Sequence, residues 1–147
     1  MAYSERELFA RVIKCEAGGE GETGMKAVAT VIMNRVNVPD GEYRRVGQGS
    51  LRKIINQQGQ FDCMRSVIGG RTNPQTIWAN PPEEIHYQIA DWALAGNKLW
   101  NIGKCLWYMN PFVPNCPQTF PYNGSGTFNS RIRNHCFYDP TQLYSST

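Results

Sequence analysis

Ala10-Arg11-Val12-Ile13-Lys14-Cys15-Glu16-Ala17-Gly18-Gly19-Glu20-Gly21-Glu22 drives an acid into an apolar stripe and then breaks the helix that carries it. Ser4 followed by Glu7 reads as a capping box, and Leu8, Phe9, Val12 and Ile13 recur at helical spacing. The pattern therefore predicts a helix from about Ser4 to Glu16. Glu16 lies one turn beyond Val12 and Ile13, on the inward face and away from Arg6 and Lys14. Gly18, Gly19 and Gly21 then stop the helix and let backbone or a ligand approach its last turn. A helix C-terminus carries partial negative charge and apolar neighbours desolvate a carboxylate, so both effects favour the protonated acid. A protonated acid beside a glycine-made opening suits general acid catalysis. The plain alternative is a glutamate that only reaches solvent from the last turn. Glu20 and Glu22 read as capping residues of the next helix.

Outward from this stretch, 147 residues with 41% hydrophobic content make one domain with a real core. The net charge of +3 comes from scattered basic residues, which argues against nucleic acid and suits mild attraction to an anionic polymer. No run approaches membrane-spanning length, and the N-terminus has neither a basic leader nor an apolar segment. The expectation is a protein made in a cytoplasm without a signal peptide and without a membrane partner.

A second helix is expected from Thr23 or Gly24 to Arg35, apolar on most of its circumference and therefore central. Asn34 and Arg35 at its end should fix neighbouring backbone. Pro39, Asp40 and Gly41 mark a turn, a loop through Gly49 follows, and a short helix spans Ser50 to Asn56. Gln57 to Asp62 reads as a polar loop bearing Phe61. Asn80, Pro81 and Glu83 open a helix that Gly96 ends, with His86 expected on its wet flank. From Lys104 the texture changes to short strands: Cys105 to Met109, Thr119 to Tyr122, Phe128 to Arg133, and Cys136 to Tyr138. The fold class is thus α+β, a helical lobe over about 1–103 followed by a small antiparallel sheet over about 104–147. Glu16 should lie at the floor of the cleft between them.

Several separated blocks carry a family resemblance. Ala10 to Val36, ending Ala27-Val28-Ala29-Thr30-Val31-Ile32-Met33-Asn34-Arg35-Val36, resembles the signature of the SleB and CwlJ cell wall hydrolases. Gln60-Phe61, Leu106-Trp107-Tyr108-Met109-Asn110-Pro111, Asn115-Cys116-Pro117 and Asn134-His135-Cys136-Phe137-Tyr138 follow in family order, the last two nearer the CwlJ branch. The resemblance implies a distant relative of the lysozyme and lytic transglycosylase architecture that cleaves the glycan backbone of spore cortex peptidoglycan at germination. It implies Glu16 as the catalytic acid and Phe61 packed near it. It also implies a place at the coat and cortex boundary, deposited from the mother cell, activation linked to calcium dipicolinate release, and a small coat protein partner of the GerQ type. No cofactor is expected.

Sugar rings stack on aromatic planes, so Trp107, Tyr108, Phe120, Tyr122 and Tyr138 suggest a groove wall, although alternation sends some of them into the core. Trp107 and Tyr108 must face opposite ways, and Tyr108 with Asn110 is the choice for the groove. His135 is placed to donate to substrate or to orient Glu16. The five cysteines, Cys15, Cys63, Cys105, Cys116 and Cys136, form no C-x-x-C pair and no zinc-like spacing. Buried free thiols are the default expectation, with a Cys116 to Cys136 bond as the alternative. Two other classes stay open: a cysteine amidase or peptidase using His135, and a non-catalytic wall-binding or coat protein.

Overall fold

A computed structural model describes residues 3–57, 61–64, 67–73 and 76–147. Gln58, Gly59 and Gln60 of the polar loop lie outside the described residues. The first helix, α1 (Glu5–Ala17), starts where its cap predicts: the Ser4 side chain accepts from the Glu7 backbone N–H at 3.1 Å. Only half of the capping box forms, because the Glu7 carboxylate pairs with Arg11 one turn on at 2.8 Å. The inward stripe of Leu8, Phe9, Val12 and Ile13 is fully buried.

The next helix, α2 (Gly21–Asn37), begins earlier than the pattern suggests. Gly21 makes the sharp corner with φ +76°, a left-handed conformation that disfavours a side chain there, and the Arg133 guanidinium lies over the space a Cβ would take. Along α2, Ala27, Val28, Ala29, Val31 and Ile32 are wholly buried, which makes it the axis of the helical half. At its C-terminal end two buried side chains reach out of that half. Asn34 Nδ2 donates to the carbonyls of Gly103 at 2.8 Å and Cys105 at 3.0 Å, and Arg35 Nε donates to Leu106 O at 2.7 Å.

Where the sequence reads as a loop, α3 (Gly41–Gly47) forms instead. Its one large apolar residue, Tyr43, is 3% exposed and packs against Trp107 and Tyr144. Tertiary packing supplies what this glycine-flanked segment lacks in propensity. A short α4 (Leu51–Asn56) is capped by Ser50 as expected. A 3-10 turn (Asp62–Met64) and a hairpin of β1 (Val67–Ile68) with β2 (Arg71–Thr72) follow.

The last long helix, α5 (Glu84–Leu94), packs on α1 and α2. Its cap is Glu83, and Asn80 instead donates to Thr76 O. His86 is not on a wet flank: it is 4% exposed, and its Nδ1 accepts from the Glu83 backbone N–H at 2.9 Å. A ring that closes the cap must turn inward over the helix start.

The sheet has the order β3 (Trp107–Met109), β5 (His135–Pro140), β4 (Gly126–Ile132), all antiparallel. Trp107 pairs with Tyr138 and Tyr108 with Phe137. The strand expected at Thr119 to Tyr122 reduces to one isolated bridge between Thr119 and Thr127. Pro117 and Pro121 offer no backbone donor there, so no ladder extends.

The default of free thiols is overturned for four of the five cysteines. Cys15 bonds Cys63 and Cys116 bonds Cys136, with Cα atoms 6.1 and 5.9 Å apart. Both separations lie within disulfide reach, and the folded chain, not local spacing, brings the partners together. Cys105 alone stays a buried thiol.

Two predictions follow from this packing. Replacing Asn34 with Ala strips two buried carbonyls of their donor, and should cost about 2–4 kcal/mol, read as a lower urea midpoint at unchanged slope. His86 is held below its ordinary pKa of 6.5, first by burial and then by the Lys14 charge, with Glu83 opposing. The unfolded chain therefore takes up this proton before the folded one does. Stability should be flat in this contribution above about pH 6.5 and fall as the pH drops below it. Urea midpoints between pH 7.5 and 5.5 should fall less steeply in His86→Gln than in the wild type.

Candidate active site

Glu16 occupies the last turn of α1, partly buried, with the glycine corner of Gly18 and Gly19 exposed beside it. Strand β3 brings Tyr108 across from the other half of the molecule, and its hydroxyl donates to Glu16 Oε1 at 2.5 Å. On the other side, Cys63 Sγ lies 3.1 Å from Glu16 Oε2. That sulfur is in a disulfide and carries no proton, so the contact is not a hydrogen bond. The Tyr108 hydroxyl is pushed well above its ordinary pKa by burial and then by the Glu16 charge, with Arg35 opposing. It is a lasting donor.

Beneath this pair sits the Arg35 guanidinium, 4.7 Å from the Tyr43 ring, 5.7 Å from Phe61 and 5.9 Å from Tyr108. It is 5% exposed. Its aromatic neighbours and the Leu106 carbonyl hold a buried cation beside the Tyr108 ring.

Two cavities flank the Glu16–Tyr108 pair, one lined by each residue. One of about 550 Å³ is lined by Glu16, Cys15, Glu20, Asn110, Asn134 and His135 among others. A second of about 380 Å³ is lined by Trp107, Tyr108, Phe120, Tyr43 and Tyr144 with Arg35. Tyr108 thus forms a wall of the aromatic cavity while its hydroxyl touches the acid of the polar one.

The structure brings four of the six sequence-chosen residues together. Glu16, Asn110 and His135 share the larger cavity, and Tyr108 adjoins it. The Asn110 side-chain oxygen accepts from Phe112 N at 2.8 Å, which fixes the turn after β3. The His135 ring stands edge-on to Tyr108 at 5.2 Å, and burial holds its pKa below the ordinary value against the pull of Glu20. Phe61 and Tyr122 do not line the Glu16 cavity. Phe61 is 2% exposed and packs under Arg35, so it supports the floor and offers no face to a ligand. Tyr122 is 85% exposed with its edge on Phe120 and lines neither cavity.

Glu20 is the residue that sequence reasoning passed over. It caps α2 without a side-chain cap bond and is 7% exposed. Its two oxygens accept from Asn134 N and Asn134 Nδ2, both at 3.0 Å, and His135 Nδ1 sits 3.2 Å from Oε1 but off the line of a hydrogen bond. Glu20 therefore ties the glycine corner to the β4–β5 turn. An acid between two glycines was its one signal. Among the described residues, one group has ligand atoms close enough to hold a metal, namely Cys15, Glu16 and Cys63, and its two sulfurs are joined to each other.

Against known proteins, the Cell Wall Hydrolase family profile matches residues 19–138, a span that begins three residues after Glu16. The chain is 30% identical over 135 residues to "Cell wall hydrolase CwlJ" of Bacillus subtilis (strain 168), covering 92% of this chain and 84% of that one. It is 26% identical over 136 residues to the CwlJ of Halalkalibacterium halodurans, covering 92% and 85%. Among solved structures, the catalytic domain of the germination-specific lytic transglycosylase SleB from Bacillus anthracis superposes with TM-score 0.67 at 22% identity, covering 94% of this chain and 98% of that domain. The Bacillus cereus SleB catalytic domain gives 0.63 at 23% identity, covering 94% and 93%. The expected lysozyme-like arrangement of helices and a small antiparallel sheet is the fold of these domains. With the family profile spanning both the helical half and the sheet, the chain belongs to the cell wall hydrolase family.

Proposed function

We propose that this protein cleaves the glycan backbone of spore cortex peptidoglycan, with Glu16 protonating the leaving glycosidic oxygen. The observation that carries the reading is a carboxylate at a helix end that lines a large cavity and is hydrogen-bonded by a half-buried tyrosine. The names of the relatives, a cell wall hydrolase and a germination-specific lytic transglycosylase, support the substrate class.

Glycosidases commonly need two carboxylates. Two other acids line the Glu16 cavity: Glu20, whose oxygens accept from Asn134, and Glu83, the N-cap residue of α5. With Glu16 as the one acid assigned to the reaction, lytic transglycosylation is the favoured course: the substrate's own 6-hydroxyl closes on the anomeric carbon and the ionised Glu16 takes its proton. Tyr108 orients the carboxylate through both steps, and Asn110 and His135 hold the sugar from the opposite wall. The protein acts at the coat and cortex boundary beside a small coat protein of the GerQ type, and is released to act when calcium dipicolinate leaves the core.

A cysteine amidase is less well supported. Four thiols are spent in disulfides, and Cys105 is buried, with burial and the Asp139 carboxylate pushing its thiol up and away from the reactive thiolate.

Purified protein on isolated cortex should release fragments that mass spectrometry identifies by their ends: anhydro ends for a transglycosylase, new reducing ends for a hydrolase. Free amines would mean amide cleavage, and no products a binding protein. Glu16→Gln removes the transferable proton at nearly constant volume and should lower the rate by about two to four orders of magnitude with the fold intact. Near wild-type lysis would end the assignment. Tyr108→Phe loses one hydrogen bond to a charged group, so the urea midpoint should fall by the equivalent of about 1.5–3 kcal/mol, and turnover under folding conditions should fall roughly tenfold as Glu16 loses its orienting donor.

A further inference from the structure

The Cys15–Cys63 disulfide touches the acid directly. Cys15 precedes Glu16 in the chain, Cys63 Sγ lies 3.1 Å from Glu16 Oε2, and the three ligand atoms all fall within 4.8 Å of one another. The other oxygen, Oε1, is held by the Tyr108 hydroxyl, which aims Oε2 at the sulfurs. A carboxylate turned toward a proton-free sulfur gains little from it. The same arrangement with the disulfide opened is a different object: two thiols and one oriented carboxylate on a rigid helix end.

We propose that in the reduced protein Cys15, Cys63 and Glu16 form a site for a divalent ion of the zinc type that occupies the catalytic acid, and that closing the disulfide expels the ion. Zinc takes sulfur at about 2.3 Å and carboxylate oxygen at about 2.0–2.2 Å in a tetrahedron, which needs neighbouring ligand atoms roughly 3–4 Å apart. The sulfur to oxygen distance already meets this. The two sulfurs need only separate by side-chain rotation, since their Cα atoms are 6.1 Å apart. Cys15 and Glu16 both line the larger cavity, so the fourth position faces solvent and takes a water. Tyr108 supplies the outer hydrogen bond that metal-ligating carboxylates ordinarily carry. The set is chemically selective: two soft thiolates favour zinc over magnesium or calcium.

Release is a thiol–disulfide exchange. One thiolate attacks a low-molecular-weight disulfide, forming a mixed disulfide and expelling one small thiolate. The second protein thiolate then attacks the mixed disulfide, closing Cys15–Cys63 and expelling the other. Two protein thiolates are oxidised, one small disulfide is reduced to two thiols that take up two protons, and the ion, left with one carboxylate and water, dissociates. The ion-binding claim stands on geometry alone; only its effect on turnover rests on Glu16 being the acid.

The test titrates cobalt(II), a spectroscopic stand-in for zinc, into the full chain reduced with a phosphine. One cobalt per chain should bind with thiolate-to-metal absorption, and zinc should displace it. The absorption should vanish in the Cys15→Ser, Cys63→Ser double variant, persist in the Cys116→Ser, Cys136→Ser double variant, and weaken at least about tenfold in affinity in Glu16→Gln. Adding oxidised glutathione should release the zinc and close the bond. A folded, reduced wild type without the absorption overturns the site. So does absorption that survives loss of Cys15 and Cys63, or a Glu16→Gln variant that binds as tightly as the wild type. If the site forms but zinc leaves cortex lysis unchanged, the ion stands and the catalytic assignment of Glu16 falls.

Discussion

Three hydrogen bonds from the end of α2 hold the two halves of this protein in register. Asn34 and Arg35 donate to the carbonyls of Gly103, Cys105 and Leu106, the residues that lead into β3. Those carbonyls belong to the chain just before Tyr108, so their position decides whether its hydroxyl meets Glu16. The donors are buried, and a buried carbonyl left without one costs more than an exposed bond is worth. The acid on α1 and the phenol on β3 are therefore aligned by an intermediate helix that carries neither. Arg35 serves both ends, since its guanidinium also lies under the rings of Phe61 and Tyr108.

Much of this was legible wherever the deciding contacts are local. Ser4 capping α1, the apolar circumference of α2 and the alternation of Trp107 with Tyr108 are all properties of neighbouring residues, and each is found as read. Tyr108 faces Glu16, while Trp107 packs on Tyr43 and Tyr144. What the sequence hid depends on distant partners. The helix α3 is fastened by Tyr144, a hundred residues on, whose hydroxyl accepts from Tyr43 N at 3.1 Å and donates to Asp40 O at 2.9 Å. Cys15 and Cys63 are 48 residues apart and share no motif. His86 reads as flanking only until its ring is seen closing a cap.

The site shows the same division. Position on a helix placed Glu16, but nothing local could show that Glu20 would be met by Asn134 from the far side of the sheet. Aromatic density pointed at Tyr108 and Tyr122 alike, strand alternation and the neighbouring block favoured Tyr108, and the fold places Tyr108 on a cavity wall and Tyr122 in water. Phe61 is an intermediate case, packed under Arg35 yet closed to any ligand.

The pattern of the two disulfides has a consequence for how the molecule comes apart. Cys15–Cys63 closes a loop within the helical half and Cys116–Cys136 one within the sheet half, so each tethers its own part against unfolding by about 4 and 3 kcal/mol on chain-entropy grounds. Neither crosses the cleft. A protease that nicks the chain between residues 64 and 105 thus leaves two fragments, each internally cross-linked, held together by buried contacts and hydrogen bonds alone, among them the donors at the end of α2, the Glu20–Asn134 pair and the Tyr43–Tyr144 contact. They would part in denaturant without any reductant, one carrying the acid and the other the tyrosine that steadies it.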